Sequence, residues 1–162
     1  MNQMTRRTVM KYITAFLLLI AVHANAEIQT LDWSISDDCS MAMSNWVTLS
    51  NNVRVRATAQ LSKDRTLLAG ILLEAPGNNI WTTAYKSVQN INKQNINMWE
   101  NILADKRYKM VWPESVEGNV YLFEQLAKTS VLRIMNQDGS YIHISARGAV
   151  ASIKQLGNCK PL

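Results

Sequence analysis

Hydrophobic and polar residues alternate between residues 41 and 75, in the pattern that β-strands follow. Residues 41–49 predict a first core strand, and Asn51-Asn52 predict the turn after it, because asparagine tolerates a positive φ angle. Residues 53–61 alternate throughout, which predicts a strand with one buried and one solvated face. Residues 66–75 are almost continuously apolar, which predicts a central strand of a sheet.

The segment from residue 80 to residue 110 has a different pattern. Its large apolar residues approximate a stripe along one face of a helix, although Ile91 and Ile96 lie about one position off that stripe. We therefore expect one broken helix or two short helices here. The residues of the stripe are Trp81, Tyr85, Val88, Trp99 and Leu103.

A β-hairpin with strands at residues 131–136 and 140–146 is predicted to follow a short helix at 121–128. A two-residue loop would place the apolar residues of the two strands on opposite faces, whereas a three-residue loop at 137–139 places them all on one face. We therefore expect the three-residue loop, with Gly139 as its left-handed residue. The apolar residues concerned are Leu132, Ile134, Ile142 and Ile144.

A last helix is predicted at residues 149–156, where it would bury Val150, Ile153 and Leu156 and end at Gly157. Helices from the middle and the C-terminus of the chain would then cover the sheet. The predicted fold class is therefore α+β, an antiparallel β-sheet with helices packed on one face.

The N-terminal residues have the features of a cleavable signal peptide. Arg6, Arg7 and Lys11 precede an apolar run of roughly 11 residues, too short for the ~20 that a membrane-spanning helix needs. The segment ends at Ala24 and Ala26, the small residues that signal peptidase requires at its cleavage site. This pattern disfavours the alternative, a buried N-terminal helix.

Two export routes fit this segment. Residues 5–11, Thr-Arg-Arg-Thr-Val-Met-Lys, resemble the twin-arginine signal, whose proteins cross the membrane already folded. The strongly apolar run after them suits the general secretory route better. By either route, we expect residues 1–26 to be removed and residues 27–162 to form a single periplasmic domain without a membrane span.

The net charge of +5 is largely a property of the export segment. Arg6, Arg7 and Lys11 supply three of the positive charges, so that the exported part has 14 basic and 12 acidic residues. This excess is too small for binding to nucleic acid or to an anionic membrane surface to be expected.

Two cysteines, Cys39 and Cys159, lie near the two ends of the exported part. In an oxidising compartment, such a pair in a small domain is most simply one disulfide. A redox-active pair or a metal site is the alternative, but the sequence lacks the Cys-x-x-Cys spacing of the first and the extra ligands of the second. We expect a structural Cys39–Cys159 bond, which on the chain-entropy model stabilises the fold by up to about 4–5 kcal/mol.

His143 is the only histidine after residue 26. In the expected hairpin it lies on the outer face, beside Tyr141 and opposite Arg133, where a histidine is typically solvated rather than catalytic. A catalytic triad would have to use this residue, and no nucleophile-elbow motif accompanies it. The sequence also lacks histidine-rich metal motifs, phosphate-binding glycine loops and dinucleotide motifs. We therefore expect no catalytic residue, metal or cofactor.

Paired carboxylates are the remaining candidates for acid–base chemistry, as in glycoside hydrolases. Asp37 and Asp38, which precede Cys39, are more typical of a polar turn, and they lack the oxygen-rich spacing that calcium needs. Glu114 and Glu117 follow a proline and are expected to begin a helical turn, where acidic side chains suit the helix dipole. A cell-wall hydrolase that uses such a pair is the rival to a non-enzymatic function.

The five tryptophans are a high number for a chain of this size. Most are expected in the core because tryptophan buries a large apolar area, whereas an exposed one could anchor a partner protein or a glycan. Trp112 is the first candidate anchor because it lies beside Pro113 in an expected loop. We add Arg133, Tyr141 and His143 as candidate binding residues.

The C-terminal part of the chain resembles the invasion-associated locus B family of exported proteins. The shared order is a helix at 122–128, strands at 131–135 and 141–145 joined by Asp138-Gly139, then Gly148 and an alanine-rich helix at 149–156. Residues 39–77 are also similar, with a cysteine, a strand, and a leucine-rich strand that ends at Pro-Gly. The sequence departs from the family at Met110-Val111-Trp112, where a further cysteine pair is often found. The resemblance implies a β-rich periplasmic accessory or host-interaction protein without known catalysis.

These observations predict an exported, non-enzymatic protein that binds another macromolecule, as an accessory of an envelope or secretion assembly or in host interaction. An immunity or inhibitor protein that blocks a toxin or a lytic enzyme is a close alternative. A small domain with one disulfide and without catalytic groups suits both roles. Another protein is accordingly the expected partner.

Overall fold

Ten β-strands and two α-helices form within residues 32–135 and 139–158, the residues that the computed structural model describes. Residues 1–26 lie outside this part of the chain, so that their role as a signal peptide stays a prediction. The strands are β1 (Trp33–Ile35), β2 (Met41–Ser44), β3 (Val47–Thr48), β4 (Arg54–Leu61), β5 (Leu67–Glu74), β6 (Lys86–Ile91), β7 (Gln94–Ile102), β8 (Tyr108–Pro113), β9 (Val131–Met135) and β10 (Tyr141–Ser145). The helices are α1 (Val116–Lys128) and α2 (Ala149–Ile153).

The strands belong to one antiparallel sheet that curls into a half-barrel. Their order across the sheet is β1-β2-β4-β5-β8-β7-β6-β9-β10, and β3 pairs with β4 beside β2. The predicted combination of an antiparallel sheet with helices, the α+β class, is confirmed.

The inner face of the curl is apolar because hydrophobic residues alternate along its strands. On β4, the residues Val55, Ala57 and Ala59 point inward and are at most 1% exposed. The strands predicted at residues 53–61 and 66–75 are thereby confirmed as β4 and β5. The largest fully buried apolar side chains are Ile91, Met98, Leu122, Leu126, Leu132, Ile144 and Val55.

Helix α1 packs its apolar side against this inner face through Leu122 and Leu126. It includes the helix predicted at residues 121–128 but begins five residues earlier, at Val116. The reason is a capping residue: the Ser115 hydroxyl accepts a hydrogen bond from the Gly118 N–H at 3.0 Å, and so satisfies a donor that the first turn leaves free.

Asn119 and Gly118 bring α1 close to the sheet. The Asn119 carboxamide accepts from the Ala69 N–H at 2.8 Å and donates to the Leu67 carbonyl at 3.0 Å, so that it extends the hydrogen bonding of β5. A Cβ atom at Gly118 would lie only 2.9 Å from the Pro113 Cβ. Glycine is therefore required there for the helix to approach the end of β8.

The two edge strands of the sheet are joined at one end by side chains. The indole Nε1–H of Trp33, at the start of β1, donates to the carbonyl of Ser145, at the end of β10, at 2.9 Å. The Ser145 hydroxyl donates in turn to the Asp32 carboxylate at 2.5 Å. The Trp33 bond satisfies an edge carbonyl that lacks a neighbouring strand.

The expected helices in residues 80–110 are wrong, because this segment forms β6, β7 and β8. Asn92 and Lys93 both have positive φ values, 49° and 73°, and join β6 to β7 by a tight two-residue turn. Ile91 and Ile96, which lay off the apparent helical stripe, are the buried inward residues, whereas Val88 of the stripe is exposed. Buried residues therefore recur at every second position of this segment, as in a β-strand, and not with the period of a helix.

The hairpin register predicted from a three-residue loop is confirmed. Met135 pairs with Tyr141, and the four apolar residues of β9 and β10 are all buried on the inner face. Gly139 has the expected left-handed conformation, with a φ of 81°. Residues 136–138 of the loop lie outside the described residues.

The last helix is shorter than predicted, and a different face of it is buried. It ends at Ile153, and Val150 is exposed, so that the prediction of Val150 as a buried residue is wrong. Ala149 and Ser152 are buried instead, because residues three apart share the face that meets the sheet. Leu156 is buried beyond the end of the helix, as predicted.

The C-terminal turn brings the chain back to Cys39. Gly157 has a φ of 73°, as expected of the glycine that ends this segment, and its N–H donates to the Cys39 carbonyl at 3.1 Å. Cys159 lies outside the described residues, so that the Cys39–Cys159 disulfide stays a prediction. The hydrogen bond at Gly157 supports it, because it places the chain beside Cys39 two residues before Cys159.

Substitution Trp33→Phe tests the side-chain closure of the two edges. It removes the indole donor while it keeps an aromatic ring, so that the free energy of unfolding should fall by about 1–3 kcal/mol in urea unfolding. The control is Trp99→Phe, because Trp99 is 41% exposed and its substitution should cost less than about 0.5 kcal/mol. Equal losses in the two variants would contradict a special role for the Trp33–Ser145 bond.

Candidate functional site

A β-bulge at Trp46 separates β2 from β3 and interrupts the single strand predicted at residues 41–49. Between the pairs Met43–Thr58 and Val47–Val55, the β2–β3 side has three residues and β4 has only two. Such a bulge bends the strand, redirects a side chain and is frequent beside functional sites. Here Trp46 stands over the outer face of the sheet, among polar side chains.

At the bulge, a serine side chain accepts a hydrogen bond from the backbone of β4. The Ser44 hydroxyl accepts a hydrogen bond from the Ala57 N–H at 2.9 Å, and the Ser44 residue itself is buried. The bulge that carries Trp46 is therefore hydrogen-bonded to β4 within the sheet.

The Trp46 ring lies within a group of arginines and a tyrosine. It stacks with the Tyr108 ring at a centroid distance of 6.4 Å, and the guanidinium carbons of Arg54 and Arg56 lie 4.6 and 4.1 Å from its centroid. Both arginines are close enough for a cation–π attraction. We refer to Trp46, Arg54, Arg56, Arg107 and Tyr108 as the Trp46 surface.

A buried carboxylate, that of Glu74, lies under this surface. Its side chain is 4% exposed, although it belongs to the outer face, where its cross-strand partners are Arg54 and Tyr108. Glu74 Oε1 accepts hydrogen bonds from Arg107 Nε at 2.8 Å and Tyr108 Oη at 3.4 Å, and it lies 2.8 Å from Arg107 Nη2. Arg54 Nη1 lies 2.9 Å from Oε2. A carboxylate is buried at tolerable cost only when it is paired in this way.

The Trp46 surface has more positive charge than Glu74 can balance. Hydrogen bonding to Glu74 raises the pKa of Arg107, whereas burial, with the nearby charge of Arg54, lowers the pKa of Arg56. Arg56 stays a cation, because a guanidinium is not deprotonated in proteins. Its Nε–H is buried and donates to no described residue. Arg56 is thus the cation of this surface with an unused donor.

Arg133, Tyr141 and His143 lie together on the outer face of the β9–β10 hairpin, in the positions that the predicted register gave them. Arg133 and His143 are cross-strand partners, and the Tyr141 and His143 rings stack at a centroid distance of 6.5 Å. All three are exposed, and they line one side of a depression beside α1. Their role in binding stays a prediction.

Trp112 lies in β8 and not in the expected loop. Pro113 is the last residue of that strand and pairs with Met98, so that the strand continues to the proline instead of ending before it. Trp112 is half-buried opposite Trp99, whose ring is covered by the Lys86 ammonium at 4.1 Å. Binding by Trp112 also stays a prediction.

Asp37 and Asp38 form the expected polar turn. The Asp38 carboxylate accepts hydrogen bonds from the Ser36 and Ser40 hydroxyls, at 2.6 and 2.8 Å, and these bonds lower its pKa. Its oxygens are therefore engaged within the turn. This arrangement offers neither a proton donor nor a second carboxylate facing a cleft.

Glu114 and Glu117 both line a depression of about 390 Å³ at the start of α1. Glu114 pairs with Lys86 at 2.5 Å. Glu117 lies in the first turn of the helix, as expected, where hydrogen bonds from its own N–H and from Ser115 lower its pKa. A hydrolase with paired carboxylates needs one carboxylic acid whose pKa is raised. The lowered pKa of Glu117 does not suit the acid of such a pair and would suit only its ionised member.

The inside of the curl holds a polar pair and an open cavity. Lys109 and Glu100 are paired at 2.9 Å with 10% and 12% of their side chains exposed, and the Lys109 ammonium lies 4.4 Å from the Trp81 ring. Farther along, a cavity of about 740 Å³ is lined by apolar residues, amides and serines, and none of its described lining residues is charged.

Within residues 32–135 and 139–158, no group of three His, Cys, Asp or Glu side chains is placed to hold a metal ion. No helix in the same part of the chain has the length and apolar character needed to cross a membrane.

Comparison of the chain with protein-family models, with curated proteins and with solved structures gives no match.

The Trp46 surface was missed by the sequence analysis, although part of it was visible. Arg54 and Arg56 alternate with buried valines, so that both were expected on one solvated face. Trp46 was hidden in a strand whose bulge has no sequence signal of its own. Tyr108 was hidden in a segment expected to be helical, and with it the neighbouring Arg107.

The exchange Glu74→Gln tests whether the buried carboxylate organises the Trp46 surface. It removes the charge but keeps the shape of the side chain. The loss of charge-assisted bonds should lower the free energy of unfolding by about 1–2 kcal/mol. A larger loss is not expected, because both arginines are half-exposed and solvent screens their interaction with Glu74. Urea unfolding measures this loss. The matched control is Glu124→Gln, in an exposed pair with Lys128, where about 0.5 kcal/mol or less is expected. A Glu74 variant as stable as the control would refute the role of Glu74.

Proposed function

We propose that this is an exported, non-enzymatic protein that binds another protein through the Trp46 surface. The observation that carries the proposal is the concentration of one tryptophan, one tyrosine and three arginines on one outer face. These are the residue types that dominate the energetic hot spots of protein interfaces. Side chains of this kind usually supply most of the affinity from a small central patch.

The surface is already ordered before any partner binds. Trp46 is held by the bulge and by stacking on Tyr108, while Arg54 and Arg107 are held by Glu74. Ordering a long side chain at an interface costs about 0.5–1.5 kcal/mol, and much of that cost is met here by folding. Preorganisation of this kind favours binding over a merely solvated surface.

The excess of cations favours an acidic partner. Three arginines face a single glutamate, and the Arg56 Nε–H has no acceptor among the described residues. A carboxylate of the partner would balance this excess of positive charge. An acidic protein of an envelope or secretion assembly fits this chemistry, and so does an acidic toxin or lytic enzyme that the protein would inhibit. The resemblance to the invasion-associated locus B family agrees with the accessory or host-interaction role.

The substitution Arg56→Glu should weaken partner binding if the proposal is right. The immobilised full-length protein would be incubated with periplasmic extract of the source cells, and a retained protein would be identified and purified for affinity measurement. Reversal of one charge at the centre of the surface should weaken binding at least about tenfold, because buried charge pairs at interfaces cost about 2–5 kcal/mol to break. Trp46→Ala should have an effect of similar size.

The matched control is Lys63→Glu, an equal reversal of charge at an exposed position in the β4–β5 turn. Lys63→Glu should retain the partner with an affinity within about twofold of the unaltered protein, since isolated exposed charges contribute little. The affinity should also fall as salt rises, because surface charges are screened. A partner whose affinity is equal for the unaltered protein and for Arg56→Glu would exclude the Trp46 surface as its site.

A further inference from the structure

A second recognition feature lies on the other half of the sheet, away from the strands that form the Trp46 surface. It is a depression of about 420 Å³ between the β6–β7 turn, the C-terminal end of α1 and the outer face of the β9–β10 hairpin. The polar side chains in its wall include those of Lys93, Arg133, Tyr141 and His143.

The wall of this depression carries two cations, Lys93 and Arg133. Neither forms an ion pair with a described residue, and none of the described residues in the wall is acidic. The nearest acidic residue along α1 is Glu124, which is paired with Lys128 at 2.8 Å. Two unpaired cations that share one concave wall produce a positive potential there, and a concave shape focuses it.

Hydrogen bonds through Asn92 fix the geometry of the wall. The Asn92 carboxamide accepts from the Arg133 N–H at 2.8 Å and donates to Gln125 Oε1 at 2.8 Å, while the Asn92 N–H donates to the Arg133 carbonyl at 2.8 Å. The turn that carries Lys93 is therefore tied both to β9 and to α1. The three walls of the depression are held together before any ligand arrives.

The donors belong to three elements of the fold, and their combination favours one kind of ligand. Lys93 belongs to the β6–β7 turn, Arg133 to β9 and His143 to β10, with the Tyr141 ring stacked on His143. A planar carboxylate is satisfied by one guanidinium fork, whereas the oxygens of a phosphate point in several directions and accept from several donors. The volume also exceeds that of a bare phosphate ion and leaves room for the group that bears it.

We infer that this depression binds a phosphate group, carried either by a small soluble molecule or by a lipid headgroup. Arg133 is its main ligand and Lys93 its second. His143 and Tyr141 flank the bound group with their stacked rings. The site does not depend on the Trp46 surface, and either can fail without the other.

His143 provides a direct reporter for the test. In proton NMR of the full chain, which has two histidines, the variant His143→Gln identifies the Cε1–H signal of His143. Glycerol 3-phosphate is then titrated at fixed pH, with ionic strength held constant by sodium chloride. We expect a saturable shift of the His143 signal. Sedimentation with phosphatidylglycerol vesicles, compared with phosphatidylcholine vesicles, tests the lipid source.

The variant Arg133→Gln should weaken the interaction at least about tenfold, the effect of losing one charge-assisted contact to a phosphate. The control Arg147→Gln changes an exposed arginine that lies beyond the end of β10 and near Asp32, and it should leave the affinity within about twofold. Binding in either arm that Arg133→Gln weakens supports the site and names the source. Absence of binding in both arms, or equal binding by Arg133→Gln, overturns it.

Discussion

The apolar inner face of the sheet is the constraint on which the rest of the structure depends. An antiparallel sheet of this size cannot leave one hydrophobic face in water, and here it curls around α1, which brings Leu122 and Leu126 to that face. Alternation along each strand then sends the polar side chains outward. Both proposed binding surfaces follow from this division, because the arginines, the histidine and the stacked rings that form them all lie on the outer side or at its rim.

Glu74 is an exception to this division, because it is a buried side chain on the outer side of the sheet, and it fixes the positions of the side chains around it. A carboxylate that is almost fully buried on a solvated face loses hydration, and it regains that free energy mainly through its ion pairs with Arg54 and Arg107. The position of the charge thereby determines the position of two long side chains that would otherwise move freely. A buried charge contributes little to stability, but it fixes the geometry of the side chains that pair with it. The cations beside Trp46 are positioned in this way.

Local sequence patterns predicted the parts of the fold in which alternation along a strand is enough to show which residues face inward and which face outward. The alternation in β4 and the apolar register of β9 and β10 required only neighbouring residues, so that the outer positions of Arg133 and His143 were predictable. The segment 80–110 was not, because exposed Val88 and Trp99 imitate a helical stripe, and the tight turn at Asn92-Lys93 contradicts it only once pairing is known. The Trp46 surface required a bulge and strands far apart in the chain, which no local pattern records.

The bond between Trp33 and Ser145 joins the first strand to the last, across a separation of 112 residues. The curl is therefore completed by the two ends of the domain, and no shorter length of chain contains both of its edges. Non-local closure of this kind makes folding slow and leaves apolar surface uncovered until synthesis or translocation is finished. If the chain crosses a membrane unfolded and N-terminus first, its apolar inner face stays exposed until β10 has also crossed. The part already exported would thus need protection from aggregation during that time.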